Sequence, residues 1–450
     1  MVSFILPGNS ASTGYDVDNS IRFDEASTTF LSKASFGSPT STKKSTVSFW
    51  CKRSLVEEGI IFMNDSNTFP IAKIYFDSSH RFSYIEFDPS VYLARTTNAV
   101  FRDLSAWSHF VVSVDMTESS ADDRVKVYHN GTQITSFSTS TTPAQNSDVI
   151  INDNLRTGIG GTGSSGGDGF EGYVAELVRI DGQALDPTSF GEFDEDSNIW
   201  KPINVSGLTF GNNGFYLDFE NSAELGTDVS GNSNTFTENN LTAEHQSTDT
   251  CTNNFATFNP LIPNSNITYS EGNLDILRDS GGDNRIALST IAVSSGKWYV
   301  EMKCVQNQDH THYGIVASDS AYSTSNSLAQ MVNAFAYKMD GTVQEYNQSN
   351  LDTGEATFTT GDIIGIALDM DNNKIYFHKN GTYINSGDPA GNSNGYSITA
   401  DKEYYFASAQ NYATGKTSAN FGSPSFSISS GNSDANGYGN FEYSVPSGYY

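Results

Sequence analysis

Twice in this chain an alternating run ends on Asn-Gly-Thr: VKVYHNGTQI at 125–134 and KIYFHKNGTYI at 374–384. Each follows an apolar run that closes on Asp-Met, VVSVDM at 111–116 and IIGIALDM at 363–370. Few patterns restrict a fold more. Bulky apolar residues alternating with polar ones set one face of an extended strand against a core. Asn-Gly between two such runs specifies a tight hairpin, because a type I′ turn needs positive φ at both central residues. Each copy therefore predicts an antiparallel pair, and the repetition predicts two β bodies built alike.

The remaining 450-residue chain supports this. Its length suits two or three ordinary domains. Ser, Thr, Asn and Gly supply most of its polarity, and 39 Gly, 29 Phe and 23 Tyr favour strands and turns over helix. Runs of Ala, Leu, Glu and Lys that nucleate helices are missing. Other alternating stretches include STVSFWCKR at 45–53, where Val47, Phe49 and Cys51 face one way, and WSHFVVSVDM, read as half-buried with Phe110, Val112, Val114 and Met116 inward. LDPTSFGEF reads as one short helix, with Asp186 as N-cap and Pro187 in its first position.

Charge narrows the partners. Lysine and arginine number 24 against 52 acidic residues, a net charge of −28 with no basic stripe. This argues against nucleic-acid binding and for a soluble surface that repels its own kind. No stretch approaches the roughly 20 apolar residues that span a bilayer, so no membrane insertion is expected. Cys51, Cys251 and Cys304 are too few and too scattered for a disulfide framework or a zinc site, which fits synthesis in a reducing cytoplasm. MVSFILPGNS is a poor signal peptide, having no basic residue before its short apolar run. Release by lysis, or within a particle, is the expected route out of a cell. The Asn-x-Ser/Thr triplets at Asn130, Asn204, Asn240, Asn266 and Asn380 then read as turn chemistry, not glycan acceptors.

Two resemblances follow from the order of these motifs. A strand opened by Trp107, the Asn130-Gly131 turn, the Gly-rich loop GIGGTGSSGGDG (158–169) and F-x-G-x-V-x-E-L at 170–177 together resemble the laminin-G-like, concanavalin-type jelly rolls. W-Y-V-E at 298–301, G-D-I-I-G-I-x-x-D at 361–369, I-x-F-x-x-N-G at 375–381 and N-F-G at 420–422 resemble the SPRY domain. YINSGDPAGNSNGYSI departs from the SPRY pattern after the Asn-Gly turn, so the loop on that edge is expected to differ. The resemblances imply an all-β chain of two tandem antiparallel jelly-roll sandwiches joined by a polar linker. The expected division is an arm at 1–20, a laminin-G-like jelly roll at 21–222, a linker at 223–264, a SPRY sandwich at 265–425 and a tail at 426–450. Residues 200–263 and the closing NFEYSVPSGYY are similar to segments of marine bacteriophage structural proteins that carry the same two modules.

That likeness implies a virion protein made in the host cytoplasm. It would be an appendage (tail fibre, spike or capsid fibre) holding non-catalytic modules to host surface glycans, with other virion proteins as partners and a homo-oligomeric state. The alternatives are a capsid decoration or cement protein without a host ligand, and a glycan depolymerase. Catalysis is not expected. Glu86-Phe-Asp88 and Glu192-Phe-Asp194 begin the paired-acid pattern of related hydrolases, but Val91 and Ser197 stand where the last acid belongs. No G-x-S-x-G elbow occurs. Asp369-x-Asp371-x-Asn373 starts like a calcium loop, but Lys374 and Asn380 break it and a hairpin turn is preferred. The acidic loops Asp122-Asp123 and Asp194–Asp196 leave calcium conceivable but unsupported, and His310 and His312 read as an exposed polar pair. No cofactor or metal is assigned. Sandwiches of these kinds bind through aromatics on their end loops, and the candidates are Tyr322, Tyr346, Tyr396 and Tyr412.

Overall fold

The computed structural model describes residues 14–24, 28–66, 69–164, 168–262, 266–278, 285–306, 311–322, 327–410 and 415–450. The chain forms two compact units that meet in sequence between Asn254 and Phe255. Among the described residues the regular structure is β-strand with short 3-10 turns, and every paired strand is antiparallel except one isolated bridge.

The first unit is two sheets face to face. One runs, in spatial order, Thr132–Ile134, Val125–His129, Ser108–Asp115, Lys44–Arg53, Gly172–Asp181, Ser20–Phe23 and Gln246–Ser247, with Phe215–Leu217 also on Gly172–Asp181. The other runs Phe137–Thr141, Val91–Val100, Arg81–Phe87, Ile71–Phe76, Gly59–Asp65, Arg156–Ile159, Phe30–Lys33 and Thr237–Asn239. Val47, Phe49 and Cys51 meet Phe110, Val112 and Val114 in the core between them, as the alternation predicts.

The second unit is built the same way. One sheet runs Ile267–Ser270, Asp275–Arg278, Lys416–Asn420, Lys297–Gln306, Ile363–Asp369, Lys374–Lys379 and Thr382–Tyr383, with Tyr396–Ser397 on Lys374–Lys379. The facing sheet runs Arg285–Val293, Tyr404–Gln410, Thr311–Ala317, Ala334–Lys338, Val343–Glu345 and Ser349–Asp352. Val300, Met302 and Cys304 point into its core with Ile364, Ile366 and Leu368.

Both Asn-Gly steps make the turns they specify. Asn130 and Gly131 sit at φ 44° and 76°, Asn380 and Gly381 at 48° and 83°. His129 pairs with Thr132 across the first turn and Lys379 with Thr382 across the second. The asparagine side chains repeat their role too. Asn130 Oδ1 accepts from His109 N and Asn380 Oδ1 from Ile363 N, both at 2.8 Å. In each unit the turn is thereby tied to the neighbouring strand.

Four expectations need correction. The strand at Ser108–Asp115 is not half-buried: His109 and Val111 are covered by Phe190, Trp200, Val205 and Phe210, because the segment after residue 185 returns across that outer face. Much of the expected linker is part of the first unit. Leu225, Phe236 and Leu241 enter its core, and Thr237–Asn239 and Gln246–Ser247 complete the edges at Phe30–Lys33 and Ser20–Phe23. Of the expected arm, residues 1–13 lie outside the described residues, but Tyr15 and Val17 pack under Trp50 and Tyr173 in one cluster. The C-terminal segment covers the second unit instead of trailing, with Phe441 and Tyr449 against Tyr299 and Tyr376.

Two smaller differences are local. The expected helix shrinks to a 3-10 turn at Pro187–Ser189, although Asp186 caps it as predicted by accepting from Thr188 N. After Tyr383 the chain makes a 3-10 turn at Ile384–Ser386, then Tyr396–Ser397 returns to pair with Lys374–Lys379.

Candidate functional site

The ends of several strands of the first unit converge on a cleft of about 300 Å³. Arg53 ends one strand, Phe76 another, His129 precedes the Asn-Gly turn, and Phe101 and Trp107 bracket the loop FRDLSAW. The floor is aromatic: the Phe101 ring lies 5.0 Å from both Phe110 and His129 and 6.1 Å from Phe76, in edge-on contacts. Arg53 lies over Phe76, 4.4 Å from its centroid, and donates from Nη1 to Phe101 O at 2.6 Å and from Nη2 to Glu57 O at 2.5 Å. The exposed Arg102 and Asp103 stand at the rim.

Burial sets the protonation states here. It pushes the Arg53 guanidinium down only to about 10, so the cation persists at neutral pH. It pushes the Cys51 thiol up to about 12 and the His129 imidazole down to about 4. At pH 7 the cleft thus offers a guanidinium, a neutral ring and a protonated thiol, a set suited to hydrogen bonding and stacking and poor in nucleophiles.

The acids suspected from sequence have internal tasks. Glu86 is buried and accepts from Ile150 N and Ile151 N, both at 3.0 Å, so it holds the start of a 3-10 turn. Burial raises it to about 7. Glu192 is exposed, and Asp194 accepts from Ser197 N at 2.9 Å and pairs with Lys201 at 3.2 Å. Glu176, from the F-x-G-x-V-x-E-L motif, sits in a β-bulge at φ 50° and accepts from the Tyr216 and Tyr15 hydroxyls. Asp369 pairs with Lys297 at 2.9 Å and accepts from Asn372 N, and Asn373 takes φ 53° between two paired strands, so the calcium-like motif is the preferred hairpin turn. Asp123 pairs with Lys126 at 3.3 Å. Among the described residues no three His, Cys, Asp or Glu side chains are grouped to hold a metal. His310 lies outside the described residues, and His312, on a strand paired on both sides, is buried, not exposed.

The three candidate tyrosines among the described residues sit in different surroundings. Tyr346 is 51% exposed beside the edge strand Ser349–Asp352. Tyr322 packs on a small cluster and donates to Ile286 O at 3.2 Å. Tyr396 is 8% exposed, its ring in the core and its hydroxyl donating to Asp352 Oδ2 at 3.1 Å. Tyr412 lies outside the described residues. The second unit has a separate recess of about 340 Å³ beside its own Asn-Gly turn, lined by Glu355, Lys379, Thr382 and Tyr383 among others. Sequence reasoning missed the first unit's cleft. The usable signal was FRDLSAW, a polar loop that carries two aromatics and adjacent opposite charges.

Residues 23–189 match the family described as the concanavalin A-like lectin/glucanases superfamily, and residues 297–419 match the SPRY domain. The chain carries a laminin-G-like, concanavalin A-like domain followed by a SPRY domain. Among solved structures, the SPRY domain of human HERC1 is 21% identical, covering 36% of this chain and 96% of that one, with a TM-score of 0.29. Another human SPRY domain is 15% identical over 34% of this chain and 94% of that one, with a TM-score of 0.27. A native heptameric SAP-like pentraxin from Limulus polyphemus is 18% identical over 38% of this chain and 80% of that one, also at 0.27. No curated protein matches the chain.

Proposed function

We propose that this protein is a non-enzymatic structural component of a bacteriophage particle, an appendage (tail fibre, spike or capsid fibre) that presents its domains to host surface glycans. The observation that carries the reading is the cleft at Arg53, Phe101 and His129. Its aromatic floor suits the C–H face of a sugar ring, and its polar rim suits the hydroxyls. The superfamily matched by residues 23–189 is described by both lectins and glucanases, so it spans sugar binding and sugar cleavage. A neutral imidazole and a protonated thiol, with Asp103 as the one acid among the described residues that line the cleft, favour binding. A net charge of −28 favours a neutral glycan over an acidic one. Each contact is weak, and several copies on one virion supply avidity.

The test is a glycan array and a host-cell binding assay with the purified full chain. Binding that soluble neutral sugar competes away supports the adhesin. Release of reducing ends assigns a depolymerase instead. Absence of binding, with the protein lodged between capsomers by electron microscopy, assigns the cement role.

A further inference from the structure

Lys52 follows Trp50 on the outer face of the strand Lys44–Arg53, and its side chain is 0% exposed. A lysine so placed needs partners, and the last stretch of the first unit supplies two. Lys52 Nζ lies 2.7 Å from Asp249 Oδ2 and 2.8 Å from Asn254 Oδ1. Asp249 has a side-chain exposure of 2%, and its other oxygen accepts from Trp107 Nε1 at 2.9 Å. Asn254 Nδ2 donates to Ser105 O at 2.8 Å, which fixes the carboxamide. The Tyr173 ring closes the site, its centroid 5.7 Å from the amine. A buried amine, a buried carboxylate and a half-buried carboxamide thus meet beside the Tyr173 and Trp107 side chains.

We infer that these residues form an intramolecular amide bond, joining Lys52 Nζ to Asn254 Cγ, with Asp249 as the proton carrier. A buried ion pair is costly in a medium of low dielectric, and the two groups are in hydrogen-bond contact at 2.7 Å. Asp249 takes a proton from the Lys52 ammonium and leaves an amine with a free lone pair. The amine attacks Asn254 Cγ, whose Oδ1 it already touches. A C–N bond forms and the carbonyl pair moves to Oδ1. Asp249 passes its proton to Nδ2, the C–Nδ2 bond breaks, and the carbonyl re-forms. The second amine proton leaves through Asp249 with the departing ammonia, giving a secondary amide, an ammonium ion and the original carboxylate. No oxidant, nucleotide or metal enters. Amide exchange that is very slow between free molecules becomes accessible when the reactants are held in contact.

The bond has a structural consequence. It would join a central strand of the first sheet to Asn254, the last residue of that unit. Tension arriving at the unit's C-terminal end would load a covalent link to the sheet interior and not a ladder of hydrogen bonds. The inference is independent of what the cleft binds.

Intact-mass spectrometry of the denatured full chain tests it. Bond formation lowers the mass by about 17 Da, one ammonia per lysine nucleophile consumed. Trypsin should fail to cut after Lys52 and should release a branched peptide carrying both Lys52 and Asn254. The full sequence mass overturns the proposal. So does the same loss without the branched peptide, since a succinimide at Asn130-Gly131 would also expel ammonia. D249N should keep the full mass, and retention of the loss in that variant would remove Asp249 from the mechanism. N254D should expel water instead and reach the wild-type final mass. If either variant fails to fold, the wild-type mass and peptide still decide.

Discussion

Glu301 accepts the backbone N–H of Tyr443 at 2.8 Å, and through it a central strand of the second unit holds the C-terminal segment in place. The same carboxylate accepts from Glu442 N, from Asn420 Nδ2 and from the Tyr299 hydroxyl, each at 3.0 Å. A glutamate on a strand's outer face would ordinarily point to water. This one is fully buried because Phe441 and Tyr449 close over it.

Glu301→Ala should therefore destabilise the second unit by about 3 kcal/mol, since it leaves buried N–H donors unsatisfied. Denaturant unfolding should show the shift in one of two transitions, and hydrogen exchange at Tyr443 should accelerate. Equal shifts in both transitions would contradict the local role.

Acid should weaken the fold through two histidines. His109 accepts from Trp200 Nε1 at its Nδ1, and His378 accepts from Gly381 N at its Nδ1, so both are held as neutral rings. Burial lowers each to about 3. Between about pH 6.5, where histidine in the unfolded chain titrates, and about pH 3, the unfolded state binds protons that the native state does not. Stability contributed by the neutral rings is present above pH 6.5 and is lost as pH falls below it. Each ring steepens the slope by at most about 1.4 kcal/mol per pH unit. His378→Gln should flatten the second unit's pH dependence between pH 6 and 4, and an unchanged slope would refute the assignment.

The glycines of the two turns should tolerate no side chain. Gly131 at φ 76° faces the Trp200 ring, and a Cβ on Gly381 at φ 83° would lie 2.7 Å from Tyr443 Cδ1. Alanine at either position combines left-handed strain with overpacking and should cost about 2 kcal/mol. The loss should appear in the first unit's transition for G131A and in the second's for G381A.

In the cleft, Phe101→Ala removes the ring that contacts His129 and Phe110. Glycan affinity should fall about tenfold, corresponding to about 1.4 kcal/mol. Tyr346→Ala, in the other unit, should leave that affinity unchanged. A reversed result would move the site to the second unit.

Much of the fold was legible because its signals are local. Positive φ at Asn130-Gly131 and Asn380-Gly381 is a property of those residue pairs, and the inward set Val300, Met302 and Cys304 follows from a period of two. The burial of His109, Val111, Tyr299 and Glu301 was not legible. Their strands present a second face whose cover comes from residues far along the chain. The polar stretch at 223–264 read as a connector because Leu225, Phe236 and Leu241, in the part that belongs to the first unit, are isolated apolar residues without period. The candidate tyrosines were chosen for polar surroundings in sequence, and that signal did not foretell that the Tyr396 ring folds into the core.

By itself, then, the sequence determined two antiparallel sandwiches and the turns that close them, since strand alternation and turn conformation depend on neighbours in the chain. Only the tertiary structure decided which segments cover the outer faces, that strand ends converge on an aromatic cleft, and that Lys52 meets Asp249 and Asn254. Those relationships join residues from 48 positions apart, as Arg53 and Phe101 are, to 202, as Lys52 and Asn254 are. Sheet order and register set them, and no local preference encodes either.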